Sequence, residues 1–201
     1  LAPAQFLSSV DSADLNERMD RWVIENSIRR FCLELQNNKR PRLFISVTDS
    51  VWRNKELLTW LAQLLRDSRV EADHIVFQIS ENECSGNLAA AKYFVDGLRQ
   101  LHCLTCLKHY GSSSDSEHIL KLLDPDYIKF DASFTQELFG DSLLDSNFSA
   151  MLKQLEGRGK ITIAPQVETP RVMSLLWKSG ICMIQGYYLQ APEDHMDYAF
   201  F

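Results

Sequence analysis

The sequence lacks an apolar run approaching the roughly 18 residues of a membrane-spanning helix, so no membrane span is expected. Its first residues, Leu1-Ala2-Pro3-Ala4-Gln5-Phe6, lack the basic stretch and apolar core of a signal peptide. Basic residues are also in deficit, with 21 Lys and Arg against 27 Asp and Glu and a formal net charge of −6. Binding to a nucleic-acid polymer rests on a basic surface and is not expected, whereas a small anion needs only one or two well-placed cations. Cysteines are few and scattered: Cys32, Cys84, Cys103, Cys106 and Cys182. An odd, unpaired set points to reduced thiols and a cytoplasmic location. Cys103 and Cys106, flanked by His102 and His109, have the spacing of half a zinc site. On a strand, however, residues i and i+3 point to opposite faces, and no second ligand pair exists. There is no linker, low-complexity tract or strong repeat, and the chain does not begin with Met. Residues 1–201 are expected to be a single domain cut from a longer protein.

The dominant pattern is an alternation of strand-like and helix-like segments. Six short apolar, β-branched runs are present: Arg42–Thr48, His74–Ser80, Cys103–His109, Tyr127–Asp131, Ile161–Val167 and Cys182–Tyr187. Asp14-Leu-Asn-Glu17 predicts an N-cap with an acidic partner at N3. It opens a long helix with Leu15, Met19, Trp22, Val23, Phe31, Cys32 and Leu35 near helical spacing, closed by Asn37-Asn38 and Pro41. Later apolar faces are predicted from Leu57, Leu58, Leu61, Leu64 and Leu65, then from Ala91, Phe94, Val95, Leu98 and Leu101. Ile119, Leu120 and Leu123 follow, then Leu144, Phe148, Met151, Leu152 and Leu155. Val172, Leu175 and Leu176 form the last, stopped by Gly180. Strands apolar on both faces fit a parallel sheet covered by helices, either doubly wound or a (β/α) barrel. In a barrel, the first one or two strands would lie before Leu1. Ligands of such folds bind at the carboxyl ends of the strands. Those ends are poor here in the carboxylates that a metal-dependent hydrolase needs. Gly111-Ser-Ser-Ser-Asp-Ser116, after the third run, is the one flexible-looking stretch, at a place where functional loops sit.

Four motifs carry a resemblance. Met19-Asp20-Arg21-Trp22-Val23-Ile24, Tyr127-Ile128-Lys129-Phe130-Asp131, Val167-Glu168-Thr169 and Gln185-Gly186-Tyr187-Tyr188-Leu189 with Pro192 stand in the order and spacing of the EAL domain. The chain resembles that family, whose members hydrolyse or sense the bacterial second messenger cyclic di-GMP. The resemblance implies an α/β fold, a TIM-like (β/α) barrel of the EAL type with its N-terminal strand or strands absent from this chain. Active members hold a pair of divalent cations with carboxylates and an Asn at strand ends. The Glu-containing motif that names the family, and a nearby phosphate-binding Arg, would lie before Leu1. Ser46 stands where the Asn would be, and Gln78 stands for the first Glu of a Glu-Ile-Thr-Glu strand whose second is kept as Glu81. Lys108-His109 stand for a paired Asp-Asp, and Pro165 stands for a further Glu. Lys129, which acts on the attacking water in active members, is retained. Hard cations need several oxygen ligands, mostly anionic. The departures therefore imply a degenerate domain with no catalytic residues, no metal and no cofactor.

Val76-Phe77-Gln78-Ile79-Ser80-Glu81, Leu101-His102-Cys103, Gln185–Gln190 and Met196-Asp197-Tyr198 are most similar to the degenerate EAL domain of FimX-type proteins. That likeness implies binding of cyclic di-GMP without cleavage, contact with a PilZ-type adaptor, and a role in type IV pilus assembly and twitching motility. It also implies upstream regulatory domains in the same chain. The ligand-binding residues it implies are Asp20, Glu81, Lys129, Pro165, Gln166, Glu168 and Gln185. Gln166 stands where some relatives place an aromatic residue that stacks on guanine, a contact worth about 1–3 kcal/mol. Plainer readings of these residues remain open. Asp20, beside a Trp22 expected to be buried, can be a helix-surface acid. Glu168 can serve the first turn of the next helix, Gln185 can cap a strand ladder, and Glu81 can anchor a loop. Asp131 can order a loop or serve the site, Lys108 and His109 can pair with the acids that remain, and Arg171 reads as a surface residue. Two other functions also stay open: an interaction scaffold without nucleotide binding, and a weakly active phosphodiesterase.

Overall fold

The computed structural model describes residues 13–36, 41–137 and 146–193. The N-terminal segment, Asn37-Asn38, Leu144, the side chain of Leu35 and the Met196-Asp197-Tyr198 motif lie outside that description. Helix α1 (Ala13–Gln36) leads into β1 (Leu43–Ser46), followed by α2 (Asp49–Arg53) and α3 (Glu56–Ser68). A 3₁₀ turn (Ala72–His74) precedes β2 (Ile75–Ser80), α4 (Glu81–Gly86) and α5 (Leu88–Gln100). Then come β3 (Leu104–Tyr110), α6 (Ser116–Leu123), β4 (Tyr127–Phe130), α7 (Ala132–Glu137) and α8 (Ser146–Gly157). β5 (Ile161–Ala164), α9 (Pro170–Ser179) and β6 (Met183–Ile184) complete the order.

The six strands are all parallel and pair in sequence order, β1 to β6, forming one curled sheet, a half-barrel of the expected (β/α) type. Its two faces are built by the strand period of two. Outward residues Ile45, Phe77, Ile79, Leu107, Ile128, Phe130 and Ala164 join the helices in the main apolar core, with Leu57, Leu61, Phe94, Leu98, Leu120 and Leu176. Inward residues Val76, Cys106, Tyr127 and Ile163 form a second cluster, joined by the partly buried Phe44, Leu104 and Ile161. Cys103 belongs to the first cluster and Cys106 to the second, so the two sulfurs diverge as expected of i and i+3 on extended chain. Burial pushes both thiols up to about 12.

Two expectations change in detail. α1 already begins at Ala13, one residue before the expected cap. Its buried face is Asp20, Ile24, Ile28 and Phe31, at spacings of four, four and three. Trp22 is 66% exposed and Leu15 38% exposed. Trp22 lies two positions from Ile24, about 200° around the helix, so it cannot share that face. Every strand but β3 is also shorter than its apolar run, and β3 (Leu104–Tyr110) keeps its length one residue further on. β5 stops at Ala164 because Pro165 has no N–H to donate and Gln166 adopts a left-handed φ of 55°.

Phe94 sits at 1% exposure between Phe77 and Trp52, with ring centroids 6.2 Å from each. Phe94→Ala is expected to cost about 3–5 kcal/mol, the range for emptying an aromatic core position. Urea denaturation measures it, and a loss below about 1 kcal/mol would contradict this placement.

Candidate functional site

Two residues beyond the inner apolar cluster, β1 to β4 carry their next inward side chain, and β5 is followed by one just past its end. Above Phe44 stands Ser46, above Val76 Gln78, above Cys106 Lys108, above Tyr127 Lys129 and above Ile163 Pro165. Ser46 is level with Gln78, and Lys108 with Ser80. A polar chain crosses this layer: Lys129 Nζ donates to Gln78 Oε1 at 3.1 Å, and Gln78 Nε2 donates to Ser46 Oγ at 3.2 Å. Burial lowers the Lys129 ammonium below the ordinary lysine range; the partly compensating influence of Cys106 comes next, and nearby Lys108 lowers it further. None of these five residues is a carboxylate. Such a donor set does not fit a divalent cation, which needs several oxygen ligands.

Beside this layer lies a cavity of about 480 Å³, lined by Lys108, His109, Lys129, Pro165, Gln166, Glu168, Gln185 and residues of the last loop. A second, of about 360 Å³, runs along the open side of the half-barrel between β1 and β6 and shares Lys129 and Gln185 with the first. Of the expected site residues, Lys129, Pro165, Gln166, Glu168 and Gln185 thus meet at one cavity, while Asp20 and Glu81 lie outside its lining. Gln185 serves in two ways. Its backbone N–H donates to Ala164 O and its carbonyl accepts from Val167 N, each at 2.9 Å, while the residue also borders the cavity. Gly186 must be glycine, because a Cβ there would lie 2.1 Å from the Val167 carbonyl oxygen. Glu168 is exposed and lies outside α9, whose N-cap is Thr169: the Thr169 hydroxyl accepts from Val172 N at 3.3 Å. Gln166 is engaged by Gln136, whose Nε2 donates to its Oε1 at 3.1 Å.

Asp20 is 8% exposed and accepts from Thr48 N at 2.9 Å and from the Thr48 hydroxyl at 2.7 Å. Burial raises its carboxyl above the usual range, against the opposing pull of those two bonds and of Lys108. Glu83, which the sequence reading passed over, behaves similarly. Its Oε2 is buried without a hydrogen-bond partner, burial raises its carboxyl, Lys108 opposes the rise, and Asp49 and Asp20 add to it. For an acid raised by folding, the stabilising contribution is present below its unfolded value and is lost as pH rises through the folded one. Both ionised carboxylates are therefore a cost at neutral pH, and Lys108 reduces it. The signal in the sequence was a second acid two places after Glu81, on the short helix that follows β2.

Glu81 anchors a loop. It is fully buried, and one carboxylate oxygen accepts from Gly111 N at 3.1 Å. The other accepts from Ser113 N at 3.0 Å and from the hydroxyls of Ser112, Ser113 and Ser116 at 3.3, 2.8 and 2.8 Å. The serine-rich stretch expected to be flexible is thus tied at each of these positions. Just before it, the β3–β4 pairing shifts register between Leu107 and Tyr110, and His109 adopts a left-handed φ of 61°. The irregularity separates two adjacent side chains. Lys108 follows the inward face, while His109 Nδ1 lies 3.3 Å from Asp131 Oδ2. Partial burial opposes the charge on Asp131, yet bonds from Ser133 and His109 outweigh it and hold the carboxyl below its usual range. His109 thus pairs with a remaining acid, whereas Lys108 forms no ion pair among the described residues. The one His and carboxylate group with metal-ligand spacing among the described residues, Glu71, Asp73 and His74, lies at the opposite end of β2.

Comparison with known proteins places these features in a family. The model of the EAL domain matches residues 1–192. The chain is similar to a crystal structure of a FimX EAL domain, with 36% identity, TM-score 0.93, and coverage of 100% of this chain and 80% of that one. It is similar to the FimX EAL domain from Pseudomonas aeruginosa bound to c-di-GMP, with 36% identity, TM-score 0.89, and coverage of 99% and 80%. In sequence it is 24% identical over 198 residues to the cyclic di-GMP phosphodiesterase PdeF of Escherichia coli (strain K12), covering 98% of this chain and 26% of that protein. The chain spans about a quarter of the length of the curated relatives it matches.

Glu81→Ala is expected to leave the Gly111 and Ser113 amides and three hydroxyls without their shared acceptor. A loss of about 3 kcal/mol follows from such a buried network, together with faster amide hydrogen exchange at Gly111 and Ser113. Unchanged exchange at both amides would contradict the anchoring role.

Proposed function

This chain belongs to the EAL domain family, and we propose that it is a receptor for cyclic di-GMP that does not cleave it. The observation that carries this reading is the inner layer at the strand ends. Ser46, Gln78, Lys108, Lys129 and Pro165 present amide, hydroxyl and ammonium groups without a carboxylate, beside a cavity of about 480 Å³. Phosphodiester hydrolysis through metals requires cations that polarise the phosphate and generate hydroxide near neutral pH. This layer offers anionic ligands for none. Holding a phosphodiester requires only donors and positive charge. The 36% likeness to a FimX EAL domain bound to c-di-GMP supports the ligand. On this reading Glu168, Gln185, Gln166, Pro165 and Lys129 contact the nucleotide, and Asp20 and Glu81 support the site from outside the cavity lining. No divalent cation takes part. A titration of cyclic di-GMP in EDTA is expected to give saturable binding that weakens about 10-fold or more in Glu168→Ala, with no linear dinucleotide formed when Mn²⁺ is added. Binding abolished by EDTA, or turnover above a no-protein control that disappears in Lys129→Ala, would overturn the proposal.

A receptor that does not consume its ligand acts only by shifting conformations or surfaces seen by something else. The proposed output is a PilZ-type adaptor in type IV pilus and twitching-motility signalling, with upstream regulatory domains in the same protein and a cytoplasmic setting. The support for this output is the FimX-type likeness. If ligand and adaptor are coupled, each tightens the other by the same factor, typically about 5–150-fold. Adaptor affinity is expected to rise on that scale when cyclic di-GMP is added to the full-length protein. An unchanged affinity would remove the relay.

A further inference from the structure

We infer that Lys108 is a phosphate-binding residue of this pocket and supplies, from the chain itself, positive charge that a bound divalent cation would otherwise bring. The inference rests on the receptor reading above and names a residue that the likeness alone does not assign.

Leu104, Cys106 and Lys108 alternate along β3 with Thr105 and Leu107, and Cys106 belongs to the inner apolar cluster. Lys108 is therefore the inward residue one level above Cys106, paired in register with Ser80. It lines the same cavity as Lys129, Gln185 and Glu168. The register shift after Leu107 and the left-handed His109 send the neighbouring imidazole away to Asp131, so the two adjacent side chains do not share a partner.

The surrounding charges point the same way. Lys108 is half-buried, and an ammonium drawn partly out of water gains from an ion partner. The acids within electrostatic reach of Lys108 are Asp20 on α1 and Glu83 on α4, and neither closes an ion pair with it among the described residues. Asp20 is already committed to Thr48 through both of that residue's donors. Glu81, on the same helix as Glu83, is saturated by the serine loop. Asp131 is held by His109 and Ser133. Glu168, across the cavity, is exposed to solvent. That leaves two ammonium groups, Lys108 and Lys129, at one cavity whose other inward groups at this level are neutral. Lys129 uses one donor on Gln78, and Lys108 spends none among the described residues. A ligand carrying one negative charge on each of its phosphodiester groups relieves the repulsion between the two cations and supplies the missing acceptors.

The test is calorimetric titration of cyclic di-GMP into the full-length protein in EDTA, comparing wild type, Lys108→Ala, Lys108→Arg and, as a control, Lys153→Ala on the outside of α8. The expected result is a loss of affinity of about 10- to 100-fold in Lys108→Ala, the scale of one charge-assisted contact. Most of it should be regained in Lys108→Arg, and Lys153→Ala should change nothing. Thermal unfolding of each variant separates lost contact from lost fold, and the arginine rescue is a readout that a merely structural lysine would not give. Wild-type binding with undiminished affinity in a folded Lys108→Ala overturns this inference and leaves the receptor reading standing. No binding by wild type overturns the receptor reading itself.

Discussion

The period of two along a parallel strand is the constraint on which the rest of this molecule depends. It sends alternate residues of all six strands to opposite faces, outward to the helices or inward to the hollow of the half-barrel. The outward set is apolar apart from the buried Thr105 and Thr162. The inward set is apolar for one layer, from Phe44 through Val76, Cys106 and Tyr127 to Ile163, and then becomes polar at the next. That single step in polarity turns a folding pattern into a site. The residues of the upper layer are fixed by the pairing below them, so their identities decide the chemistry while their positions come from the fold.

Around that layer, polar groups are satisfied by dedicated partners at the strand ends. Glu81 gathers the loop after β3, Asp20 takes both donors of Thr48, and the Gln185 backbone joins the ends of β5 and β6. Such a frame suits a preorganised site, because the strand ends around the cavity are held before any ligand arrives. The buried carboxylates have a cost, however. Glu83 has an orphaned oxygen and its ionised form is disfavoured by burial. A nearby lysine offsets that cost only through space.

The sequence made the architecture legible because alternating apolar runs and helical stripes are local signals. The bounds of α3 and α5 and their buried faces follow those stripes closely. The cysteine argument also held, since it used only the direction of side chains on a strand. The exposure of Trp22 was not legible: a large aromatic residue beside Ile24 carries apolar weight without revealing which side of the helix it takes. The serine loop read as flexible because its anchor lies 30 or more positions earlier in the chain, beyond any local pattern. The parting of Lys108 from His109 depends on a strand irregularity and a left-handed backbone that no composition rule announces at a histidine.

Turnover and binding make physically separable demands on a site, and on the proposed reading the upper layer meets only the second. Hydrolysis needs a cation that lowers the pKa of water and neutralises developing charge, so it fails once the anionic ligands for that cation are gone. Binding needs complementary charge and satisfied hydrogen bonds, and an ammonium group can provide both. Replacing a carboxylate that holds a metal by a lysine therefore removes a ligand and a cation, yet leaves positive charge at about the same place. Burial disfavours the charged form of Lys129, and a second cation nearby disfavours it further. An anion between them would reverse both effects. On the proposed reading that relief of repulsion contributes to affinity, and it biases the receptor's conformations only to the extent that two conformers hold the paired ammonium groups at different separations.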